Sequence, residues 1–290
     1  MLASSVLGCG VNPRAVPVAA GPDFILIVID TLRPARLNCY GNERQTPPNI
    51  DRLAEPGALF ESTFAPAPCP SQHGSPVGRS PSTVTWCWPN GGNPRPANNS
   101  TPELSNGEGT LAVHLLANGY TTDTFVTNPD LTFGLQRGFQ SFEHREPEGS
   151  DVANFTAAPL AAADPGRPLF LMLHLMDSHD SLLTPDEDAR ALSDAGVLPE
   201  IWSRTFSMLP ATEQGREERL LAYDASIHYV DRQVGRTLDS LEQTARLEHA
   251  IVVVTSDHGE ELFEHAASEV TLALGSLSTA PRPWPQPVSF

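Results

Sequence analysis

The chain contains no lysine: all 18 basic side chains among its 290 residues are arginine, against 35 aspartates and glutamates, for a net charge of −17. A balance this acidic repels nucleic-acid phosphates and anionic lipid, excludes a nucleic-acid partner, and makes metal cations the natural ligands. Cysteine is also scarce. Cys9, Cys39, Cys69 and Cys87 stand too far apart for a paired metal knuckle and are too few for a disulfide scaffold. No run of about 18 apolar residues occurs, which excludes a membrane-spanning helix on sequence grounds.

What remains has ordinary globular composition, 40% hydrophobic and 18% charged, and its patterning alternates strands with helices. Phe24 to Asp30 (FILIVID) is a continuous β-branched apolar run ending in a carboxylate, the pattern of a strand buried on both faces of a parallel sheet. Thr46 ahead of Pro47 and Pro48 predicts a short helix through Leu53, stopped by Gly57. A second strand is expected at 58–64, a helix at 110–118 and strands at 122–127, 169–175 and 250–255. Leu220, Tyr223, Ile227, Val230, Val234, Leu238 and Leu241, at steps of three and four, predict a long helix over 213–243. The implied fold class is α/β, a mostly parallel sheet flanked by helices. In such sheets ligands bind beyond the carboxyl ends of the strands.

Proline, at 28 residues against a usual share of about 5%, is unevenly distributed: nine fall between Pro66 and Pro102 and four between Pro281 and Pro287. Residues 66–106 read as irregular apart from a turn of helix near 71–77.

Three strand ends carry groups able to hold a divalent metal: Asp30, His179 and the Asp257-His258 pair. The pair is the strongest signal, because negative charge at the end of an apolar strand costs free energy unless a cation or donor compensates it.

The segments IVIDTLR (27–33), LNCYG (37–41) and TPPNIDRL (46–53) resemble the opening of the sulfatase family in the alkaline phosphatase superfamily. Ser71 with Gly78-Arg79, Gly119-Tyr120, Phe125 to Asn128, Arg137-Gly-Phe139, His174 with His179, YVDRQVG (229–235) and VTSDHGEE (254–261) continue the resemblance in family order. It implies a sulfatase-like catalytic α/β domain over 22–264 and a divalent-metal-dependent hydrolase of small or polymeric sulfuric esters. Asp30, Asp257 and His258 would hold the metal. Calcium is the leading expectation, with manganese, zinc and magnesium as alternatives. His179 would act at the leaving group, and His174 would either support the metal-holding residues from behind or pack. Cys69, oxidised to formylglycine, would be the nucleophile. Asp-Thr-Leu-Arg also resembles phosphoester hydrolases and phosphoglycerol or phosphoethanolamine transferases, so phosphoryl chemistry is the second expectation and an inactive fragment the third.

Some positions depart from the family pattern. Aligned on Pro70-Ser71 and Gly78-Arg79, the nucleophile position falls on Pro68, one residue before Cys69, and Gln72 stands where the family has arginine. No lysine is present to contact the anionic group. Residues 74–108 and 266–290 lose periodicity and read either as true loops or, the reading favoured on their length, as out of frame; the C-terminal portion of the family core is then missing and 265–290 is an aberrant proline-rich tail. Residues 1–21 read either as a disordered leader or as a lipoprotein-signal-like one, in which Met1 to Gly10 resembles the end of a bacterial lipoprotein signal acylated at Cys9; the second reading implies an extracytoplasmic or cell-envelope location.

Overall fold

A computed structural model describes residues 21–42, 48–63, 110–128, 136–145, 163–179, 212–260 and 262, with isolated residues between 152 and 161 and at 188 and 190. The leader through 20, Thr46, the expected helix near 71–77 with Cys69, and the tail from 263 lie outside the described residues.

Among the described residues five strands form one parallel sheet: β1 (Asp23–Ile29), β2 (Thr121–Val126), β3 (Ser141–His144), β4 (Leu169–Leu175) and β5 (Ala250–Ser256), in the order β3-β2-β4-β1-β5. The two fully apolar runs, β1 and β4, pair at its centre, as their lack of polar alternation requires. Ile25, Ile27 and Ile29 point to one face, where α3 (Glu213–Gln243) lays Tyr223, Ile227, Val230, Val234, Leu238 and Leu241 against them. Leu26 and Val28 point to the other, with Phe170 and Met172 and beneath Ala112 of α2 (Leu111–Ala117). Each such side chain contributes about 1.5–3 kcal/mol when fully buried, so the sheet centre is the rigid part of the molecule.

Both flanking helices start where the sequence supplies a cap. Thr110 accepts from the Val113 amide and Thr212 from the Gly215 amide. The short α1 (Pro48–Ala54) docks on α3 through one carboxylate: Asp231 accepts from the Asn49 and Ile50 amides at 3.1 and 2.7 Å and from Asn49 Nδ2 at 2.7 Å.

Two expectations need correction. No strand forms over 58–63: Leu59 and Phe60 are exposed, 40% and 73%, no described strand pairs with them, and the Phe60 carbonyl accepts from the Tyr40 hydroxyl at 3.0 Å instead. Conversely β3 pairs with β2 although its four residues are too short to register as a periodic pattern. Among the described residues no helix is long and apolar enough to cross a membrane.

The turn into β3 contains the tightest glycine. Gly138 has φ +91°, and a Cβ there would lie 2.3 Å from the Val113 amide nitrogen. Gly138→Ala is therefore expected to destabilise the protein by about 2–3 kcal/mol, combining a left-handed backbone with a clash against α2; urea denaturation of the two proteins measures it.

Candidate metal centre

Because β1 lies between β4 and β5, the carboxyl ends of all three strands open at one edge, and the residues just beyond them meet there. The Asp30 amide continues the ladder by donating to Leu175 O at 2.8 Å, which fixes the Asp30 side chain over that edge. Asp30, Asp257 and His258 come together as expected: one ligand atom from each lies within 4.8 Å of the other two. His258 Nε2 stands 3.5 Å from Asp30 Oδ1 and 3.9 Å from Asp257 Oδ2.

A second imidazole faces the same carboxylates. His174 Nε2 is 3.7 Å from Asp257 Oδ2 and 4.0 Å from Asp30 Oδ2, and the residue is 1% exposed. Of the two expected roles, support of the carboxylates is the one this placement matches. The signal was in the alternation: Phe170, Met172 and His174 share a face of β4, as Leu26, Val28 and Asp30 share the matching face of β1. His179 falls in the turn after β4, its amide donating to Met176 O at 3.0 Å, and is not among the three clustered ligands. Cys69 lies outside the described residues.

Several residues that the motifs did not mark as functional hold the cluster in shape. Asn128 Nδ2 donates to Asp30 Oδ2 at 3.2 Å. The Thr31 amide donates to Asp257 Oδ1 at 3.2 Å and its hydroxyl to Ser178 O at 2.9 Å, while the Ser178 hydroxyl donates to Asp30 O. Tyr223 of α3 donates to Thr31 O at 2.6 Å. Thr31 has φ +59°, an uncommon conformation for a β-branched residue, and these contacts on three different elements hold it there.

The electrostatics are those of a site short of positive charge. Burial, and then the neighbouring Asp257, push Asp30 up to about 8 against the opposing pull of His174 and Asn128. Burial alone would also raise Asp257, but His174, His258 and the Thr31 amide bring it below the ordinary carboxylate value. In this metal-free arrangement the pair therefore shares a proton, held on Asp30. Asp30 Oδ1 and Asp257 Oδ2 are buried and accept no hydrogen bond from a described residue. Two such oxygens beside an imidazole nitrogen form a donor set that a divalent cation fits, since it supplies the charge the cluster lacks.

Fold and site together define an α/β protein that gathers two carboxylates and an imidazole, side chains able to hold a metal, at the carboxyl edge of a parallel sheet. The sulfatase family profile matches residues 22–280, and the chain belongs to the sulfatase family. It is 25% identical to human iduronate 2-sulfatase over 91% of its own length and 60% of that protein's. Among solved structures, the 2-O GAG sulfatase BT1596 superposes with TM-score 0.58 at 18% identity, over 85% of this chain and 61% of that one. The phosphonate monoester hydrolase of Agrobacterium radiobacter superposes with TM-score 0.53 at 16% identity, over 82% and 63%. The chain thus spans less than two thirds of the length of these proteins.

Proposed function

We propose that this chain carries the metal-binding core of a divalent-metal-dependent hydrolase of sulfuric esters. The observation that carries the reading is the cluster of Asp30, Asp257 and His258, with two buried carboxylate oxygens left open, in a chain of the sulfatase family. Asp30, Asp257 and His258 would hold the ion. Bound there, it would polarise the ester oxygens and offset the charge that develops on the transferring group. His258 Nδ1 donates to Gly259 O at 3.0 Å, which turns Nε2 toward the site. His174 and Asn128 hold the two carboxylates in orientation. His179 would protonate the leaving oxygen, and Cys69, as formylglycine, would supply the attacking oxygen; dividing one displacement into two lowers the barrier of each. Substrates in this reading are small or polymeric sulfate esters.

A phosphoester hydrolase is the second reading, favoured by the Asp30-Thr31-Leu32-Arg33 segment and by the likeness in fold to a phosphonate monoester hydrolase. Hydrolysis of an aryl sulfate and an aryl phosphate, each with calcium, manganese or zinc added to metal-free protein, separates the two. Metal-dependent turnover of the sulfate ester with little or none of the phosphate ester is expected. Preference for the phosphate ester supports the second reading. Inactivity on both esters with all three ions, in protein folded by circular dichroism, overturns both and leaves an inactive fragment.

A further inference from the structure

The middle of α3 is almost wholly covered. From Tyr223 to Leu238 every residue is buried except three, His228, Arg232 and Arg236, which follow one another at steps of four and so form one line along the helix. All three are basic types. The two aspartates of this stretch are buried and engaged, Asp224 with Arg36 at 3.5 Å and Asp231 with the amides of Asn49 and Ile50. In a chain with 35 acidic residues against 18 arginines, the part of α3 that meets solvent here therefore shows no acidic side chain.

The first two members of the line share a buried anchor. Asp188, 2% exposed, meets His228 Nδ1 with one oxygen at 2.8 Å and accepts from Arg232 Nη2 with the other at 2.6 Å. The Arg232 guanidinium also lies over the Tyr229 ring, 5.5 Å from its centre. The two anchored side chains nonetheless stay 28% and 39% exposed. With Nδ1 on Asp188, the imidazole turns Nε2 away from the anchor, and that nitrogen bonds no described residue. An ordinary surface arginine loses much rotational freedom when it meets a ligand, whereas Arg232 has given up most of it in folding.

We propose that His228, Arg232 and Arg236 form a strip that binds the anionic groups of a polymeric substrate outside the reaction centre. Arginine forks match sulfate and carboxylate groups, and a preorganised fork binds them at lower entropic cost. Tyr223, earlier on α3, bonds Thr31 at the sheet edge that carries the cluster. At the helical rise per residue, His228 stands about 7 Å and Arg236 about 20 Å farther along the axis. A small ester held at the edge does not reach Arg236; a polymer does. The inference rests on the hydrolase reading above and narrows its substrates to polyanionic chains.

Fluorescence anisotropy of labelled dextran sulfate and labelled polygalacturonate, titrated with the metal-stripped full chain, tests the proposal. Without a cation the carboxylates at the sheet edge offer an anion no attraction, so the measurement reads the strip. Dextran sulfate is expected to bind, more weakly as salt is raised, and uncharged dextran is not. Arg236→Gln is expected to weaken binding about threefold, and Arg232→Gln combined with Arg236→Gln about tenfold. Arg145→Gln removes the same charge beside β3, where Arg145 pairs with Glu143, and is expected to leave affinity within about twofold. Should the double variant fail to fold, Arg236→Gln read against Arg145→Gln decides. Affinity unmoved by Arg236→Gln, or lowered equally by Arg145→Gln, overturns the proposal, as does absence of binding to both polymers. Polygalacturonate binding as tight as dextran sulfate and sensitive to the same substitutions supports the strip and assigns it carboxylates as well as sulfates. Binding needs no turnover, so inactivity on aryl esters overturns the hydrolase reading without touching this measurement, which separates the two failures.

Discussion

Stripped of divalent metal, the protein is expected to lose stability as pH rises from about 4 to about 8, with a slope approaching roughly 1.4 kcal/mol per pH unit for each carboxyl that keeps its proton only in the folded state. The sign follows from Asp30, whose folded value is raised from 3.8 to about 8 by burial and by Asp257. Between those values the folded state holds a proton that the unfolded chain has released, so raising the pH favours unfolding. Below the unfolded value both states are protonated and the slope vanishes. Asp177, buried in the turn after β4 and pushed up to about 7, acts in the same direction over the lower part of the range. A saturating cation replaces the shared proton on Asp30 but leaves Asp177 untouched. Melting temperatures measured from pH 4 to 8.5 should therefore fall steeply without metal and much less with it. A metal-free curve that rises across this range would contradict the charge balance described for the site.

The second large effect belongs to Asp257. Asp257→Asn keeps the shape and the Oδ1 contacts to Thr31 and His258 within reach, but removes the charge of the second ligand. Metal affinity is expected to fall by about a hundredfold or more, exceeding the 10- to 100-fold typical of outer-shell changes, and metal-dependent ester hydrolysis to fall with it. The metal-free variant is expected to be as stable as the unaltered chain or more so above pH 7, because one of two buried like charges is gone. Calorimetry with zinc and thermal melts in the same buffer read both outcomes. Unchanged affinity would remove Asp257 from the centre.

Much of this arrangement is legible in the sequence because it rests on long-range patterns that local chemistry repeats. The apolar runs at 24–29 and 169–175 have no polar alternation, so they could only be central strands, and their polar ends had to meet at one edge. With the run at 250–255, this pattern marks Asp30, His179 and Asp257-His258 as strand-end groups, and the family resemblance narrows the expected metal set to Asp30, Asp257 and His258. The supporting frame is harder to read. Thr31, Asn128, Ser178 and Tyr223 act through single hydrogen bonds across 98 to 226 residues, and no spacing in the chain announces which hydroxyl or amide will face which carboxylate. His174 lies between these cases: the strand alternation places it on the Asp30 face, but its position inside an apolar run makes it look like core. The expected strand at 58–64 fails for a complementary reason. Leu59 and Phe60 have the right composition, yet a strand exists only where a neighbour can complete its ladder.

The position of β5 gives the centre a further property. Among the described strands it is outermost, pairing with β1 alone, and its side chains are half-buried or, at Ile251, 51% exposed. Two of the three clustered side chains therefore follow an edge strand, while Asp30 follows β1, which is paired on both sides. Fraying of that margin would scatter Asp257 and His258 without disturbing the rest of the sheet. An ion bridging Asp30 and Asp257 would work as a cross-strand staple, so occupancy of the centre and order of the sheet margin rise and fall together.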